Sequence, residues 1–253
     1  MRILLVNPPI YDFTAFDFWL KPYGLLSIAG QLRSRADLVL FDFLDARIKT
    51  DAFGRGPFAH TRIPKPAALA DIPRYFYRFG RPQNDFRQFL KSAGTFDFAL
   101  IQTMMTWWYP GIAEVISDLR DLMPHTRIIL GGIYATLCPE HAGSLGADLV
   151  LSGNDSSTME SFTGIRPDST QPAFWEGYRF LDTGVLKLTD GCPFKCTYCS
   201  VPQTHPQFAP RPIDKSLREL ELLLSHGVRN IAFYDDALLY KADEILLSFL
   251  SAA

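Results

Sequence analysis

Short apolar runs alternate with amphipathic segments through much of the chain. The apolar runs predict strands at residues 2–7, 37–42, 96–102, 127–132 and 147–153. Apolar residues at helical spacing predict helices over residues 23–35 and 110–123, and a short helix around residues 139–145. Strands separated by helices of this length pair in parallel, so the pattern predicts an α/β fold with a doubly wound parallel sheet.

Two segments interrupt this alternation. Residues 46–95 carry several prolines, many arginines and the aromatic run 75–77, and they predict an insertion of loops with short helices. This insertion is either a packed excursion or a lid over the carboxyl edge of the sheet. Residues 166–183 begin with a polar stretch that contains proline and glycine, which is typical of a linker.

A second unit is predicted after the linker. Residues 185–191 and 228–236 predict strands, and residues 214–226 and 241–251 predict helices, the first of them capped by Asp214. The order strand, loop, helix, strand, helix is that of the first two repeats of a barrel or of another parallel sheet. The predicted organisation is therefore a sheet domain over residues 1–165, a linker over 166–183 and a second, incomplete unit over 184–253.

Composition narrows the possible functions. With 47% hydrophobic residues and a net charge of -2, the chain is expected to bury a core and to bind no nucleic acid. The segment MRILLVNPP lacks the order of a signal peptide, and the longest apolar stretch, residues 98–112, contains Gln102 and Pro110. We therefore expect no membrane span and a cytoplasmic protein.

Ligands of open parallel sheets bind at the carboxyl ends of the strands, near the point where the strand order reverses. No G-x-G-x-x-G or G-x-x-x-x-G-K-[ST] motif is present, which argues against those nucleotide sites. Asp42 at a strand end is interpreted as a loop residue. Gly131 and Gly132 either let a ligand approach the backbone or only form a tight turn. The candidate ligand-binding residues of this edge are Asn7, Pro8, Pro9, Thr103, Thr106, Gly131, Gly132 and Gly153, with Asn154 beside the last.

Cys192, Cys196 and Cys199 form a C-x3-C-x2-C motif directly after a predicted strand. Clustered cysteines without a secretion signal predict a metal site in a reducing compartment. Thiolates suit zinc, for which His205 would be a fourth ligand, or a 4Fe–4S cluster with three protein ligands and one open iron. Cys138 lies in the other predicted domain and is interpreted as a small buried hydrophobe.

At these residues the chain resembles the radical S-adenosylmethionine (SAM) enzymes. The resemblance rests on the cysteine motif with Tyr198 before its last cysteine, and on FYDD at residues 233–236. The N-terminal part resembles the Rossmann- or flavodoxin-like cobalamin-binding domain found ahead of many such enzymes, through LLVNPP (4–9), PYGLLSIAGQLR (22–33), the glycines at 131–132 and ADLVLSG (147–153).

The resemblance implies a set of cofactors and roles. Cys192, Cys196 and Cys199 would ligate a 4Fe–4S cluster whose fourth iron chelates SAM, with Tyr198 near the adenine. Cobalamin would lie across the carboxyl edge of the first sheet. Asp235 and Asp236 would either hydrogen-bond SAM or substrate, or cap the following helix. The family's partial TIM barrel has more repeats than this chain supplies, so the chain is either a fragment of a longer protein, which we favour, or a natural short form.

Three functions are compared. The leading one is a radical SAM enzyme that also uses cobalamin, acts on an unidentified small-molecule or peptide substrate and is reduced by a flavodoxin or ferredoxin. The alternative is a non-catalytic module that binds cobalamin or another small molecule and carries a structural metal site. A simple electron-transfer protein ranks last, because a fully ligated cluster needs a fourth cysteine.

Overall fold

The computed structural model describes residues 1–45, 48, 51–153 and 155–253 of the chain; Asn154, a candidate residue of the ligand edge, lies outside them. The strands are β1 (Arg2–Asn7), β2 (Ile10–Asp12), β3 (Phe16–Asp17), β4 (Asp37–Asp42), β5 (Gly56–Pro57), β6 (His60–Ile63), β7 (Phe76–Phe79), β8 (Phe98–Thr103), β9 (Arg127–Gly132), β10 (Leu149–Leu151), β11 (Thr183–Leu186), β12 (Thr189–Asp190), β13 (Ala209–Pro210) and β14 (Asn230–Phe233). The helices are α1 (Tyr23–Leu32), α2 (Gln83–Ser92), α3 (Tyr109–Leu122), α4 (Ile133–Leu137), α5 (Pro139–Ser144), α6 (Ser156–Thr163), α7 (Val201–Thr204), α8 (Ile213–Ser225) and α9 (Leu246–Ala252).

A five-stranded parallel sheet is the centre of the N-terminal part. Its order is β10-β9-β8-β1-β4, and every neighbouring pair runs parallel. Numbered among themselves, the strands follow the flavodoxin-like order 2-1-3-4-5, in which the order reverses between the first and third strands. The predicted doubly wound sheet is therefore confirmed, and its reversal point lies between β1 and β8.

The sheet is covered on both faces, which explains its continuous apolar strands. Leu4 and Val6 of β1 belong to a core cluster that contains residues of α2 and α3. Ile3 and Leu5 face the opposite way and pack in a cluster that contains residues of α1 and α6. Because side chains alternate along a strand, one fully buried strand supplies both cores.

The predicted insertion divides into two parts. Its last part, α2, is the crossover helix between β4 and β8, with Phe86 and Leu90 buried in the core. In the described part of the remainder, β6 and β7 pair antiparallel with each other, β7 pairs with β2 and β5 pairs with β3, where the sequence predicted loops. A 3₁₀ helix at Ala67–Leu69 agrees with the short helices that the sequence predicted. Pro64, Pro66 and Pro73 lie in the connection between β6 and β7 and leave both strands free to pair.

The segment predicted as a linker is packed rather than exposed. Ala173, Trp175, Tyr178 and Leu181 are buried in a core that also contains residues of α1, β11 and α8. A methyl group at Gly30 of α1 would lie 2.0 Å from the carbonyl oxygen of Pro172, so helix and segment are in close contact. The sequence analysis predicted a linker because the segment is polar and rich in proline, and it did not predict the burial of these four apolar residues.

The second unit begins with two short strands where the sequence predicted one. β11 pairs in parallel with β14, whereas β12 pairs antiparallel with β13. The last predicted helix begins later than expected, at Leu246. The predicted cap of α8 is also corrected, because the N-cap is Pro212 and Asp214 instead pairs with Arg218 at 2.8 Å within the helix.

Among the described helices, none combines the length and the apolar character that crossing a membrane would require.

Candidate functional site

The loop that carries the three cysteines is closed at its base. Thr189 and Asp190 of β12 pair with Pro210 and Ala209 of β13. Between these strands, Gly191 has φ +72°, and a methyl group there would lie 2.5 Å from the carbonyl oxygen of Gln207. A glycine is therefore required at the entrance of the loop on steric grounds alone. We call residues 191–208 the cysteine loop.

The thiols themselves lie on the outer part of the cysteine loop. All four cysteines of the chain are free. Cys196 is exposed and Cys192 and Cys199 are half-buried, while Tyr198 is 91% exposed. The amide of Val201 donates a hydrogen bond to Sγ of Cys199 at 3.4 Å. The three thiols are thus accessible to an incoming metal centre.

The donor set of the cysteine loop fits an iron–sulfur cluster by its chemistry. It offers three soft sulfur ligands, and the Val201 amide adds a hydrogen-bond donor to one of them. Among the residues that the structure describes, no three His, Cys, Asp or Glu side chains are grouped around a point that would hold a metal ion. Ligation by Cys192, Cys196 and Cys199 therefore stays a prediction.

Two residues considered as further ligands have other surroundings. His205 follows α7, with its Nδ1 3.2 Å from the hydroxyl of Thr204, and burial together with the nearby charge of Lys187 lowers its pKa. Cys138 is half-buried and packs against the core of the first sheet, where the sequence predicted a small buried hydrophobe.

The two neighbouring aspartates after β14 differ in their contacts. The carboxylate of Asp235 accepts hydrogen bonds from the amides of Leu188 at 2.9 Å and Thr189 at 2.6 Å, and from the Thr189 hydroxyl at 2.7 Å. It thereby fixes the turn between β11 and β12, a role that the sequence did not suggest. Asp236 is exposed. Binding of SAM or substrate by Asp235 and Asp236 stays a prediction.

At the carboxyl edge of the first sheet, two predicted ligand residues bond within the fold. The buried amide of Asn7 donates to Asp42 at 2.8 Å, and the buried hydroxyl of Thr103 accepts from the amide of Ala135 at 3.0 Å. Pro8 and Pro9 are also buried, and the carbonyl oxygen of Pro9 lies against α3 at Gly111. Asn7, Thr103 and Pro9 therefore make contacts within the chain at this edge.

Sequence reasoning treated Asp42 as an ordinary loop residue and missed its buried network. Its carboxylate accepts hydrogen bonds from the Tyr178 hydroxyl at 2.5 Å and the Leu44 amide at 2.8 Å, in addition to Asn7. Burial raises the pKa of Asp42, and the positive charge of the buried Lys21 counters this shift. Tyr178 lies far from Asp42 in sequence, so no local pattern signalled the contact.

Next to β9, the carboxyl edge of the first sheet has more open space than it has around Asn7 and Pro9. A methyl group added at Gly131 would meet only Leu151, at 3.9 Å, whereas one at Gly132 would lie 2.2 Å from the carbonyl oxygen of Thr103. Thr106 begins a short 3₁₀ helix, Thr106–Trp108, and the two indoles of that helix both donate to Asp12. Around this opening, Met105, Trp107 and Ile133 are exposed.

The open part of the edge lies beside the cysteine loop. Helix α4, which follows β9, contacts α7 of the loop. A methyl group at Gly153 would lie 3.9 Å from the carbonyl oxygen of Thr204, and the Gly153 amide is held by the Thr136 hydroxyl at 2.8 Å. The structure thus brings together two regions that the sequence predicted separately: the ligand edge of the first sheet and the metal loop of the second unit.

Comparisons with known proteins bear on both units. Residues 186–252 match the family model of the Radical SAM superfamily. Over 72 residues the chain is 35% identical to the ribosomal protein uS12 methylthiotransferase RimO of Alkalilimnicola ehrlichii, a match that covers 28% of this chain and 15% of that protein. The RimO of Carboxydothermus hydrogenoformans is 36% identical over 56 residues, which are 22% of this chain and 12% of that protein.

A solved structure extends the likeness to the N-terminal part. The radical S-adenosylmethionine methyltransferase TsrM from Kitasatospora setae, with cobalamin and a 4Fe–4S cluster bound, matches 93% of this chain with a TM-score of 0.58 and 12% sequence identity. The chain spans 47% of that protein. At this identity the likeness shows a shared fold.

Residues 186–252 therefore carry a match to the Radical SAM superfamily, and they follow a flavodoxin-like α/β sheet unit. This match bears out the resemblance to radical SAM enzymes that the cysteine motif and Tyr198 indicated.

Proposed function

We propose that this chain acts in radical SAM chemistry and holds a 4Fe–4S cluster through Cys192, Cys196 and Cys199. The observation that carries the proposal is the loop itself: three accessible thiols between β12 and β13, within the segment that matches the superfamily. When bound, the cluster would supply the electron that cleaves SAM to a 5′-deoxyadenosyl radical.

The residues of the chain would prepare this site in three ways. The thiolates bind the cluster, and the Val201 amide stabilises the charge on Cys199. Asp235 holds the turn from which the loop departs. Asp236 is exposed at the end of β14, where a carboxylate suits the ammonium group of SAM.

We also propose that cobalamin binds at the open edge near β9. The proposal draws support from the shared fold with TsrM, which carries cobalamin together with its cluster. Trp107, Met105 and Ile133 offer exposed apolar surface to a large flat cofactor, and the small Gly131 leaves the backbone approachable. The neighbouring cysteine loop would place the two cofactors side by side.

The cluster is tested by anaerobic reconstitution of the chain with iron and sulfide. We expect the reduced protein to give a 4Fe–4S electron paramagnetic resonance (EPR) signal that changes when SAM is added. Cys196→Ser should abolish normal assembly, and Cys138→Ser, the matched control at the cysteine outside the loop, should retain it.

Stoichiometric zinc with no cluster signal would instead support the non-catalytic module with a structural metal site. A cluster that forms but is indifferent to SAM would contradict SAM binding by this chain; the same measurement on a longer form of the protein then decides whether further barrel repeats are needed. Reduction by a flavodoxin or ferredoxin, and a small-molecule or peptide substrate, are part of the proposal.

Cobalamin binding is tested by the absorbance change on titration with hydroxocobalamin. We expect Trp107→Ala and Gly131→Leu to weaken binding, because they remove apolar surface or fill the open space beside the backbone. Phe180→Ala is the matched control, since Phe180 is an exposed aromatic residue outside the sheet edge. Equal binding by all four proteins would contradict this location.

A further inference from the structure

A partly buried polar network connects the base of the cysteine loop to the sheet unit. Arg211, which follows β13, donates from Nε and Nη2 to the two carboxylate oxygens of Asp190 at 2.9 and 2.8 Å. Its third contact, from Nη1, is to the hydroxyl of Tyr23 at 2.6 Å. Tyr23 is the first residue of α1 in the sheet unit, so one guanidinium group joins the two parts of the molecule.

The network continues on the far side of Tyr23. The Tyr23 hydroxyl donates to Glu219 of α8 at 2.9 Å, and the other oxygen of that carboxylate accepts from Nε1 of Trp175 at 3.1 Å. Glu219, Tyr23 and Trp175 are all buried. Every polar group of the network therefore has a defined partner, and such satisfied buried networks hold one arrangement strongly.

The charges of the network favour the same arrangement. Arg211 and Asp190 carry opposite charges, and Nη2 of Arg211 lies 2.8 Å from a carboxylate oxygen of Asp190. Burial disfavours the charged form of Arg211, and the bonds to Asp190 and Tyr23 raise its pKa nonetheless. A planar guanidinium group makes these three bonds at once, which the single ammonium group of a lysine does not reproduce.

We propose that Arg211 is a positioning residue that fixes the cysteine loop relative to the carboxyl edge of the first sheet. Asp190 immediately precedes the loop, so its bidentate bond to Arg211 reinforces the β12–β13 closure. The bond to Tyr23 transmits that closure to α1. On the proposed function, the same contact sets where the cluster stands with respect to a ligand at the open sheet edge.

The first test uses hydrogen exchange on the metal-free chain, so it does not depend on any cofactor. In Arg211→Lys we expect the backbone amides of residues 188–210 to exchange about tenfold faster, since the bidentate charge-assisted bonds are lost. In Tyr23→Phe, which leaves the Arg211–Asp190 pair intact, we expect faster exchange both at the start of α1 and in the cysteine loop. Arg218→Lys, in an exposed ion pair with Asp214 on α8, is the matched control.

The decisive comparison is the double variant. If Arg211 and Tyr23 act as one connection, the exchange rates of the cysteine loop in Tyr23→Phe/Arg211→Lys equal those in Arg211→Lys alone rather than the product of the two single effects. Unchanged loop exchange in Tyr23→Phe would overturn the proposal and leave Arg211 with a local role only. If circular dichroism shows that Arg211→Lys does not fold, the loop exchange of Tyr23→Phe alone tests the proposal.

The second test uses the reconstituted chain. With a cluster present, we expect Arg211→Lys to shift the EPR spectrum or the reduction potential of the cluster relative to wild type and to Arg218→Lys. If the EPR spectrum and the reduction potential of Arg211→Lys equal those of wild type, the positioning role of Arg211 is contradicted, even where hydrogen exchange of the loop has changed. Absence of a cluster in the wild type would instead overturn the proposed function, and the exchange result would stand on its own.

Discussion

Gly131 and Gly132 are neighbours with different structural requirements. Gly132 has φ +114°, and any Cβ there would collide with the backbone of Thr103. Gly131 lies in the same strand with open space around its Cα hydrogen. The sequence predicted both glycines at the ligand edge but left open whether a turn or a ligand required them. The close approach of Thr103 to Gly132 could not be predicted, because it depends on strand pairing between β8 and β9.

This difference predicts opposite outcomes of the same substitution. Gly132→Ala should lower the free energy of unfolding by at least about 2 kcal/mol, since it adds backbone strain and a clash with a main-chain oxygen. Gly131→Ala should change it by less than about 1 kcal/mol, because alanine has room there. Urea denaturation of both variants checks this, and equal losses would contradict the steric argument.

Asp235 and Asp236 also predict different losses. Asp235→Ala removes the acceptor of three hydrogen bonds and should cost about 1–3 kcal/mol in the free energy of unfolding. Asp236→Ala, at an exposed position, should cost less than about 0.5 kcal/mol. Chemical denaturation of the metal-free chain gives both values; a larger loss for Asp236→Ala would show that the structural role is assigned to the wrong residue.

At the scale of elements, helix α6 is held at its start by one side chain. Asp155 is the N-cap and accepts from the amide of Thr158 at 3.0 Å, from its hydroxyl at 2.6 Å and from the Ser157 hydroxyl at 2.7 Å. The hydrogen bonds from Thr158, followed by that from Ser157, lower the pKa of Asp155 to about 2.

The cap predicts a pH dependence with a definite sign. Because the folded pKa of about 2 lies below the unfolded value of about 3.9, the stabilisation by Asp155 is complete above the unfolded pKa and is lost as the pH falls through the folded one. Asp155→Ala should therefore melt below wild type at pH 7, and the gap should narrow between about pH 4 and about pH 2.

Asp155→Asn is the control for that experiment, because asparagine caps a helix without titrating. Its melting temperature should stay near that of wild type at pH 7, while the cap contribution should no longer change below pH 4. A gap between wild type and Asp155→Ala that widens in acid would contradict the assignment.

The spacing of apolar residues predicted those helices and strands whose positions depend only on their own residues. Helices α1 and α3 and the strands of the first sheet lie where the apolar spacing placed them. The break between β11 and β12 was missed, since it depends on Asp235 reaching back to Leu188 and Thr189 from a distant strand. The cap of α8 was misplaced because Asp214 has the residue type of a cap, yet Pro212 already starts the helix.

At the scale of the whole molecule, the two units share a core. Trp175 has no exposed surface and packs with Tyr23 and Leu26 of α1 as well as Val185 and Leu223 of the second unit. A core with members from both units couples their unfolding. Composition alone suggested a polar linker. The burial of Trp175 could not be read from composition, because the residues that contact it come from segments before and after it in the sequence.

The shared core predicts a large and cooperative effect of one substitution. Trp175→Ala should lower the free energy of unfolding by about 3–5 kcal/mol and should destabilise both units together. Trp107→Ala, at an indole that is 57% exposed, should cost less than about 1 kcal/mol. Far-ultraviolet circular dichroism and hydrogen exchange should give coincident transitions; separate transitions for the two units would contradict the coupling.

The antiparallel closure of β12 on β13 has a consequence for the order of assembly. Bringing distant ends of a flexible chain together has an entropic cost of about (3/2)RT ln n for n residues, and the pairing of β12 with β13 meets that cost through the backbone itself. Cys196 and Tyr198 meanwhile face solvent. We therefore expect the cluster to be acquired by the folded chain from outside, as a late step of maturation, and to be removable by a chelator without loss of the surrounding fold.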